Sequence, residues 1–170
     1  MIRLKPTPLK ATLQEMAEQL AAEAQRNGLS DIGVPAFTPN IQDAALAERL
    51  GGQYGLMPRY CADELAERLQ QELRRRDKNL RVLPHDAVNK ALADENLTAG
   101  DLQTAAVRDI EVDGVSVRAV ALGQFCLQTG KVMTLQCLLK GTGNVDRGRA
   151  GGTAILTDSE WAMLGKNGEL

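Results

Sequence analysis

The chain has 170 residues, of which 44% are hydrophobic and 25% charged, and its formal net charge at pH 7 is −2. These values are typical of one globular domain that can bury a core, and they give no general basic footprint for nucleic acid. Aromatic residues make up only 3% of the chain, which argues against binding of single-stranded nucleic acid by base stacking.

No apolar run is long enough to predict a membrane span, and the first ten residues lack the apolar segment of a signal peptide. We therefore expect either a cytosolic protein or a domain whose leader and any lipid anchor have been removed.

The first predicted element is an amphipathic helix from about Pro8 to Arg26. Thr7 is placed to cap its N-terminus, and Asn27 with Gly28 supplies the C-terminal stop. Apolar residues recur at helical spacing and predict one buried face: Leu13, Met16, Ala17, Leu20 and Ala24.

A short strand is predicted at Asp31–Thr38. Proline lacks a backbone donor, so Pro35 indicates an edge position, a bulge or an early end of this strand. The next stretch, Pro39–Gly55, is a variable loop that contains a short helical run, Asp43–Leu50, and the helix-breaking cluster Gly51–Gly55.

The stretch Tyr60–Leu83 organises the rest of the prediction, because it is typical of a helix, a charged turn and a short buried strand. The helix has one apolar face, formed by Ala62, Leu65, Ala66, Leu69 and Leu73. The strand, Leu80–Leu83, is too short to stand alone, so we expect it to pair with another strand.

Charges on the outside of this helix are also ordered. Glu64 with Arg68, and Glu72 with Arg76, are acidic-before-basic pairs four residues apart. The run Arg74–Arg76 places positive charge at the C-terminal end, where the helix dipole favours it.

A third helix is predicted after Pro84, with His85 and Asp86 in its first turn and a fading end near Asn96. Its inner face carries Ala87, Val88, Ala91 and Leu92. A turn at Leu97–Asp101 and a weak helical turn at Leu102–Val107 follow.

The later part of the chain predicts a β-hairpin, with strands Val115–Leu127 and Lys131–Lys140 around a two-residue turn at Thr129 and Gly130. In that register Cys126 faces Met133 and Cys137 faces Leu122. The two cysteines are then roughly 13 Å apart along the strands, which excludes a disulfide between them. We expect these cysteines and Cys61 to be small buried hydrophobic residues.

The segment Gly141–Gly152 is predicted to be a glycine-rich turn, and Thr153–Leu156 extends a last strand. Thr157–Glu160 then opens a short helix that carries Trp161, Met163 and Leu164.

The predicted fold class is α/β (α+β): a single-layer mixed β-sheet of about four or five strands with helices packed on it, in the order α-β-α-β-α-β-β-(β)-α. We expect residues 1–170 to form a single domain. It comprises an N-terminal amphipathic helix at 1–28, a core at 29–140, and a glycine-rich turn, last strand and short helix at 141–170.

Three segments together carry a family resemblance: Gly55–Leu73, Arg81–Leu83 and Val88–Thr98. A glycine-marked loop leads into a helix in which A-x-x-L-x-x-x-L occurs at Ala62, Leu65 and Leu69, and a strand and a further helix follow. The family's helix has the form (G/Y)-x-x-x-A-x-x-L-x-x-x-L. Ala119–Phe125 and Gln128–Val132 stand where a later strand and turn are expected.

This pattern resembles the α/β domain shared by the curli secretion channel CsgG, the flagellar envelope protein FlgO, the penicillin-binding-protein activator lipoproteins and the TolB N-terminal domain. The resemblance implies a non-enzymatic module that binds other proteins in the bacterial envelope or periplasm.

The sequence offers little for catalysis. His85 is the only histidine, and its place fits a helix entry as well as a general base. The cysteines lack metal-ligand spacing, and no pairing can be argued for Asp43, Glu48, Asp63 or Glu64. We expect no enzyme activity, no cofactor and no metal.

Five arginines form the candidate binding surface: Arg74, Arg75, Arg76, Arg147 and Arg149. The first three compensate a helix dipole or contact phosphate, anionic lipid headgroups or an acidic partner. The last two lie among glycines, which lack the pattern of a phosphate-binding loop and favour a turn over a nucleic-acid contact.

The sequence therefore predicts a non-catalytic protein-binding or assembly module of a bacterial envelope system, similar to envelope lipoproteins. The expected partners are other proteins, reached through an exposed strand edge or the loop Pro39–Gly55, with self-association through a sheet edge as one form. The alternative is a nucleic-acid- or nucleotide-binding domain that uses the arginine clusters.

Overall fold

A computed structural model describes residues 6–39, 55–97, 111–112, 114–128, 130–141 and 145–165. Along these residues the elements follow in this order: β1 (Thr7–Pro8), α1 (Leu9–Asn27), β2 (Ile32–Gly33), β3 (Thr38–Pro39), α2 (Met57–Arg76), α3 (His85–Asp94), β4 (Glu111–Val112), β5 (Val115–Ser116), β6 (Ala119–Gln128), β7 (Val132–Gly141), β8 (Val145–Ile155) and α4 (Asp158–Ala162).

The described strands form a mixed sheet of six strands in the order β1-β8-β7-β6-β2, with β3 also paired to β6. The three long strands β6, β7 and β8 are antiparallel, whereas β1 pairs with β8 and β2 and β3 pair with β6 in parallel. The short strands β4 and β5 form a separate hairpin. The predicted α/β class with helices on a mixed sheet is confirmed.

Helices pack on both faces of this sheet. On one face, α1 and α2 bury the larger core, which includes Leu13, Leu65, Leu69 and Leu135. On the other face, α3 covers a smaller cluster made by Leu83, Val88, Leu92, Val112, Val117, Val120 and Leu122. The alternation of side chains along a strand assigns these two sets of residues to opposite faces.

Helix α1 follows its apolar stripe and ends where the sequence predicts. Gly28 adopts a left-handed conformation with φ 62°, and its N–H donates to the carbonyl groups of Ala24 and Gln25. The predicted cap is wrong by one residue, because Thr7 belongs to β1 and Pro8 occupies the cap position. The Thr7 hydroxyl instead bonds the Thr12 hydroxyl at 2.6 Å.

Helix α2 buries the predicted face, and Glu64 pairs with Arg68 at 3.2 Å. The second predicted pair is wrong: Glu72 contacts Arg75 at 3.4 Å, three residues away, while Arg76 donates to Gln25 of α1. The carboxylate of Glu72 is turned towards α1, because it also accepts from the Gln14 side chain at 3.0 Å.

Pro35 interrupts the first strand, as the sequence predicts. The segment from Gly33 to Thr38 is one residue longer than the opposite segment of β6, from Val120 to Gln124. The chain therefore bulges between β2 and β3.

The short predicted strand Leu80–Leu83 pairs with β2, as the sequence predicts that it must pair with another strand. Val82 forms a parallel bridge with Ile32, Arg81 accepts from the Ile32 N–H at 3.1 Å, and the Leu83 N–H donates back to Ile32 at 2.8 Å.

The predicted hairpin forms, but its register is wrong by one residue. Cys126 lies opposite Thr134 and Cys137 opposite Gly123, because the connection between β6 and β7 contains three residues rather than two. Gly130 and Lys131 both adopt positive φ, 79° and 59°. The two cysteines therefore sit on opposite faces of the sheet, and all three cysteines of the chain are free.

The predicted glycine-rich turn is wrong from Val145 onward, because these residues form the first part of β8. Gly148 and Gly152 face α1, where a Cβ would lie 2.7 Å from Glu23 Cγ and 2.7 Å from Thr12 Cγ2, respectively. These two positions are glycine because α1 lies too close to β8 for a side chain. They therefore do not mark a turn, although glycine often does.

The last helix agrees with its predicted start. Thr157 and Glu160 form a capping box, with 3.1 Å from the Glu160 N–H to the Thr157 hydroxyl and 2.9 Å from the Thr157 N–H to the Glu160 carboxylate. The helical run Asp43–Leu50, most of the loop Pro39–Gly55 and the turns predicted between Thr98 and Val107 lie outside the described residues.

Candidate functional site

The part of the sheet face that α3 does not cover is the main exposed surface of the described strands. We call it the open face; it consists of Gln124, Cys126, Thr134, Gln136, Leu138, Arg149, Gly151, Thr153 and Ile155. Gln136, Arg149 and Gly151 are exposed, and Ile155 keeps 47% of its surface exposed. No helix in the described part of the chain lies over these residues.

A depression of about 420 Å³ lies in the open face between the three long strands. Its lining is Leu122, Gln124, Gln136, Cys137, Leu138, Arg149 and Ala150. Gln124 and Gln136 are cross-strand neighbours, and so are Leu138 and Arg149. Apolar surface, amide groups and a guanidinium therefore stand side by side, which is the kind of composition found at protein interfaces.

Arg149 is the main charge of the open face. Its guanidinium pairs with Asp146 at 3.0 Å, while the two side chains keep 78% and 44% of their surface exposed. An exposed pair of this kind contributes little stability, so Arg149 can exchange Asp146 for another carboxylate at small cost.

The outer edge of β8 borders the open face. β1 pairs only with Ala154 and Ile155, and no other strand of the described residues lies beside Val145–Thr153. Among the described residues, only α1 and β1 contact the outward backbone groups of this edge. An unpaired strand edge of this kind can pair with another strand.

Two side chains of α1 do reach this edge. The Thr12 hydroxyl donates to the Thr153 carbonyl at 3.4 Å, and the Asn27 amide donates to the Arg147 carbonyl at 3.1 Å. Between these two contacts, no described strand pairs with the outward backbone groups of Arg149 and Gly151.

The structure does not unite the five predicted arginines into one surface. Arg74, Arg75 and Arg76 are exposed at the end of α2, in the helix layer on one face of the sheet. Arg149 lies on the opposite face, because its neighbour Ala150 belongs to the core beneath α1. Arg147 is exposed at a register shift of β8.

Burial shifts the pKa of several ionisable groups among the described residues. Burial raises the pKa of the Cys137 thiol to about 12 and also raises the pKa of Cys61, to which nearby Glu160 and Glu64 add. Burial lowers the pKa of Lys140. Among the described residues no cluster of histidine, cysteine and carboxylate side chains could hold a metal ion. The His85 side chain lies outside the described part of the structure.

Sequence reasoning missed most of the open face. No prediction singled out Gln124, Gln136 or Leu138. A register shifted by one residue also assigns cross-strand neighbours to opposite faces, so it cannot bring these side chains together. The alternation in β7 was a usable signal, since Met133, Leu135, Cys137 and Leu139 are buried and Thr134 and Gln136 stand between them.

No protein-family model matches the chain, and no curated protein does. Among solved structures, the chain is similar to the lipoprotein GNA1162 from Neisseria meningitidis. The TM-score is 0.49 and the sequence identity 14%, with 75% of this chain and 81% of that chain covered. No helix in the described residues is long and apolar enough to cross a membrane.

Proposed function

We propose that this chain is a non-catalytic protein-binding module that serves the assembly of a bacterial cell-envelope system. The observation that carries the proposal is the open face, where a depression that no described helix covers adjoins an edge of β8 that the described strands leave largely unpaired. The envelope setting is supported by the resemblance of Gly55–Leu73, Arg81–Leu83 and Val88–Thr98 to envelope domains.

The chemistry of the open face suits a protein partner. Leu138 and Ile155 offer apolar contact, and the side chains of Thr134, Gln136 and Thr153 offer both donors and acceptors. Such a surface gains by covering its apolar atoms while it matches the polar groups of another chain.

Site-specific photocrosslinking in cells of the source organism tests the proposal. A photoreactive residue replaces Gln136 on the open face, and the matched control replaces Gln71, an exposed glutamine of α2. We expect a discrete protein adduct from the envelope fraction at position 136 and none at position 71. Equal crosslinking at both positions, or no adduct at 136, would contradict protein binding; an adduct confined to cytosolic proteins would contradict the envelope setting.

Nucleic-acid binding is the second candidate, and three consecutive exposed arginines at the end of α2 favour it. Arg75 is, however, already paired with Glu72, and the sheet separates Arg74–Arg76 from Arg149. Reversing the charge at Arg75 and Arg147 together distinguishes the two functions. A protein-binding module keeps its adduct at position 136, whereas a nucleic-acid binder loses affinity and shows steep salt dependence before the change.

A further inference from the structure

We propose that the partner adds an extended strand to β8 beside Arg149 and Gly151, with acidic side chains towards Arg149 and small side chains towards α1. The inference rests on the proposed function and specifies the kind of segment that the open edge accepts.

The direction of the β8 backbone follows from one hydrogen bond. The Leu156 N–H donates to the Lys131 carbonyl at 2.8 Å, so position 156 directs its backbone groups towards β7. Backbone direction alternates along a strand, so Ala154, Gly152 and Ala150 also face β7. Thr153, Gly151 and Arg149 therefore direct their N–H and C=O groups outward.

Within the described part of the chain, the outward groups lack a pairing strand only over a short span. β1 covers the end of β8 at Ala154 and Ile155, and α1 donates to the carbonyl groups of Thr153 and Arg147. The register shift beside Leu139 leaves Arg147 without a cross-strand partner, which bends the other end of the strand. Arg149 and Gly151 are both exposed and provide the pairing positions.

Helix α1 restricts what can pair there. From Thr12 to Asn27 the helix rises about 22 Å, and from Thr153 to Arg147 the strand extends about 20 Å. The helix thus runs along the outer edge of β8 in the opposite direction. A second copy paired antiparallel at this edge would bring its own α1 against this one on the same face, so the position suits an extended segment without a helix layer.

The same arrangement defines the side chains of the added strand. A residue that lies opposite Arg149 directs its side chain to the open face, and its neighbours along the strand point towards α1. The α1 side has little room, because a Cβ on Gly152 or Gly148 would lie only 2.7 Å from Thr12 Cγ2 or Glu23 Cγ, respectively. Small residues fit there, and a carboxylate fits opposite the exposed guanidinium of Arg149.

Phage display tests this inference: random short peptides are selected for binding to the whole protein. We expect enriched peptides in which acidic residues alternate with glycine, alanine or serine. Binding of a selected peptide should weaken by about tenfold or more in Gly151→Pro, because proline removes the outward N–H, and not in Gly151→Ala, which adds the same Cβ and keeps the N–H. Arg149→Glu should weaken the acidic peptide by a similar factor.

Amide hydrogen exchange of the unsubstituted protein gives a second measurement that does not depend on the folding of any variant. Peptide binding should slow the exchange of the Arg149 and Gly151 amides, while the Gly152 amide, already directed at β7, changes little. No enriched sequence, enrichment without alternation, or unchanged exchange at Arg149 and Gly151 would overturn the inference. If the partner adduct at position 136 persists in Gly151→Pro, the partner does not add a strand to β8, whereas the proposed protein-binding function is unaffected.

Discussion

Cys137 shows how burial sets the chemistry of a single side chain. It lies on the face of β7 that α1 and α2 cover, and only 3% of its surface is exposed. Burial disfavours the thiolate, which raises the pKa of Cys137 from the ordinary value of 9.0 to about 12. Cys61 is affected in the same direction, and burial raises the pKa of Tyr60 to about 12.

These shifts predict a loss of stability in alkali. Below pH 9 the thiols are protonated in both states, so they have no effect on the free energy of unfolding. Above pH 9 the unfolded chain releases protons that the folded chain retains, and stability falls as pH rises towards 12. Each buried thiol contributes about 1 kcal/mol of this loss at pH 10. Lys140 has the opposite effect on stability. Burial lowers its pKa, so the folded chain releases this proton at a lower pH than the unfolded chain does, and this group makes stability rise with pH in that range.

Urea denaturation from pH 8 to pH 10.5 checks the prediction. Cys137→Ala should lower stability at pH 8, because it leaves a small cavity, and should make the decline above pH 9 shallower. Cys126→Ala, which removes a half-buried thiol on the opposite face, serves as the control. Parallel profiles for Cys137→Ala and the unsubstituted chain would show that the buried thiol does not cause the decline.

At the scale of elements, the contact between α1 and β8 depends on small residues. Gly148, Ala150, Gly152 and Ala154 alternate along β8 towards the larger core, and α1 lies close against them. We expect Gly152→Ala to cost about 1–3 kcal/mol, since its Cβ would meet Thr12 Cγ2 and push the helix away from the strand.

The companion change Thr12→Ser removes that methyl group and keeps the hydroxyl. Thermal unfolding of the single and double variants forms a double-mutant cycle, in which Thr12→Ser should recover part of the loss caused by Gly152→Ala. Additive effects of the two changes would mean that this methyl group does not limit the approach of the helix.

The same contact explains which elements the sequence could predict. The helices α1, α2 and α3 each carry an apolar stripe, a local pattern that identifies the buried face before any partner is known. The first part of β8 was missed because Gly148 and Gly152 are required by a helix more than a hundred residues earlier in the chain. The hairpin register was missed because Lys131, a residue without special turn preference, adopts a positive φ.

The candidate site was predictable only in part. Arg149 was identified from its charge, and an exposed strand edge was expected, but nothing local shows that Arg149 lies on that edge. Local sequence also does not show that Arg74–Arg76 and Arg149 lie on opposite sides of the sheet. Their separation depends on the face of the sheet against which α2 packs.

At the scale of the whole molecule, the two sides of the sheet differ in how much they bury. Leu69 belongs to the larger core beneath α1 and α2, whereas Leu92 of α3 belongs to the smaller cluster on the other side. Both leucines are buried, with 0% and 3% of their surface exposed. The same truncation to alanine therefore compares the two sides directly.

We expect Leu69→Ala to cost about 2–5 kcal/mol in global unfolding. Leu92→Ala should cost less globally and should instead speed the amide exchange of α3, because the described residues that pack against this helix form the smaller cluster. Chemical denaturation combined with amide hydrogen exchange measures both effects. Equal global losses without faster exchange in α3 would show that the two sides of the sheet unfold as one unit.

The packing of α1 on β8 also has a consequence for the order in which the chain is made. The ribosome completes α1 more than a hundred residues before it completes β8, a delay on the order of ten seconds. During that time the apolar stripe of α1 lacks the strand that later covers part of it. We expect α2, which shares the larger core with α1, to cover part of this stripe until the last long strand emerges.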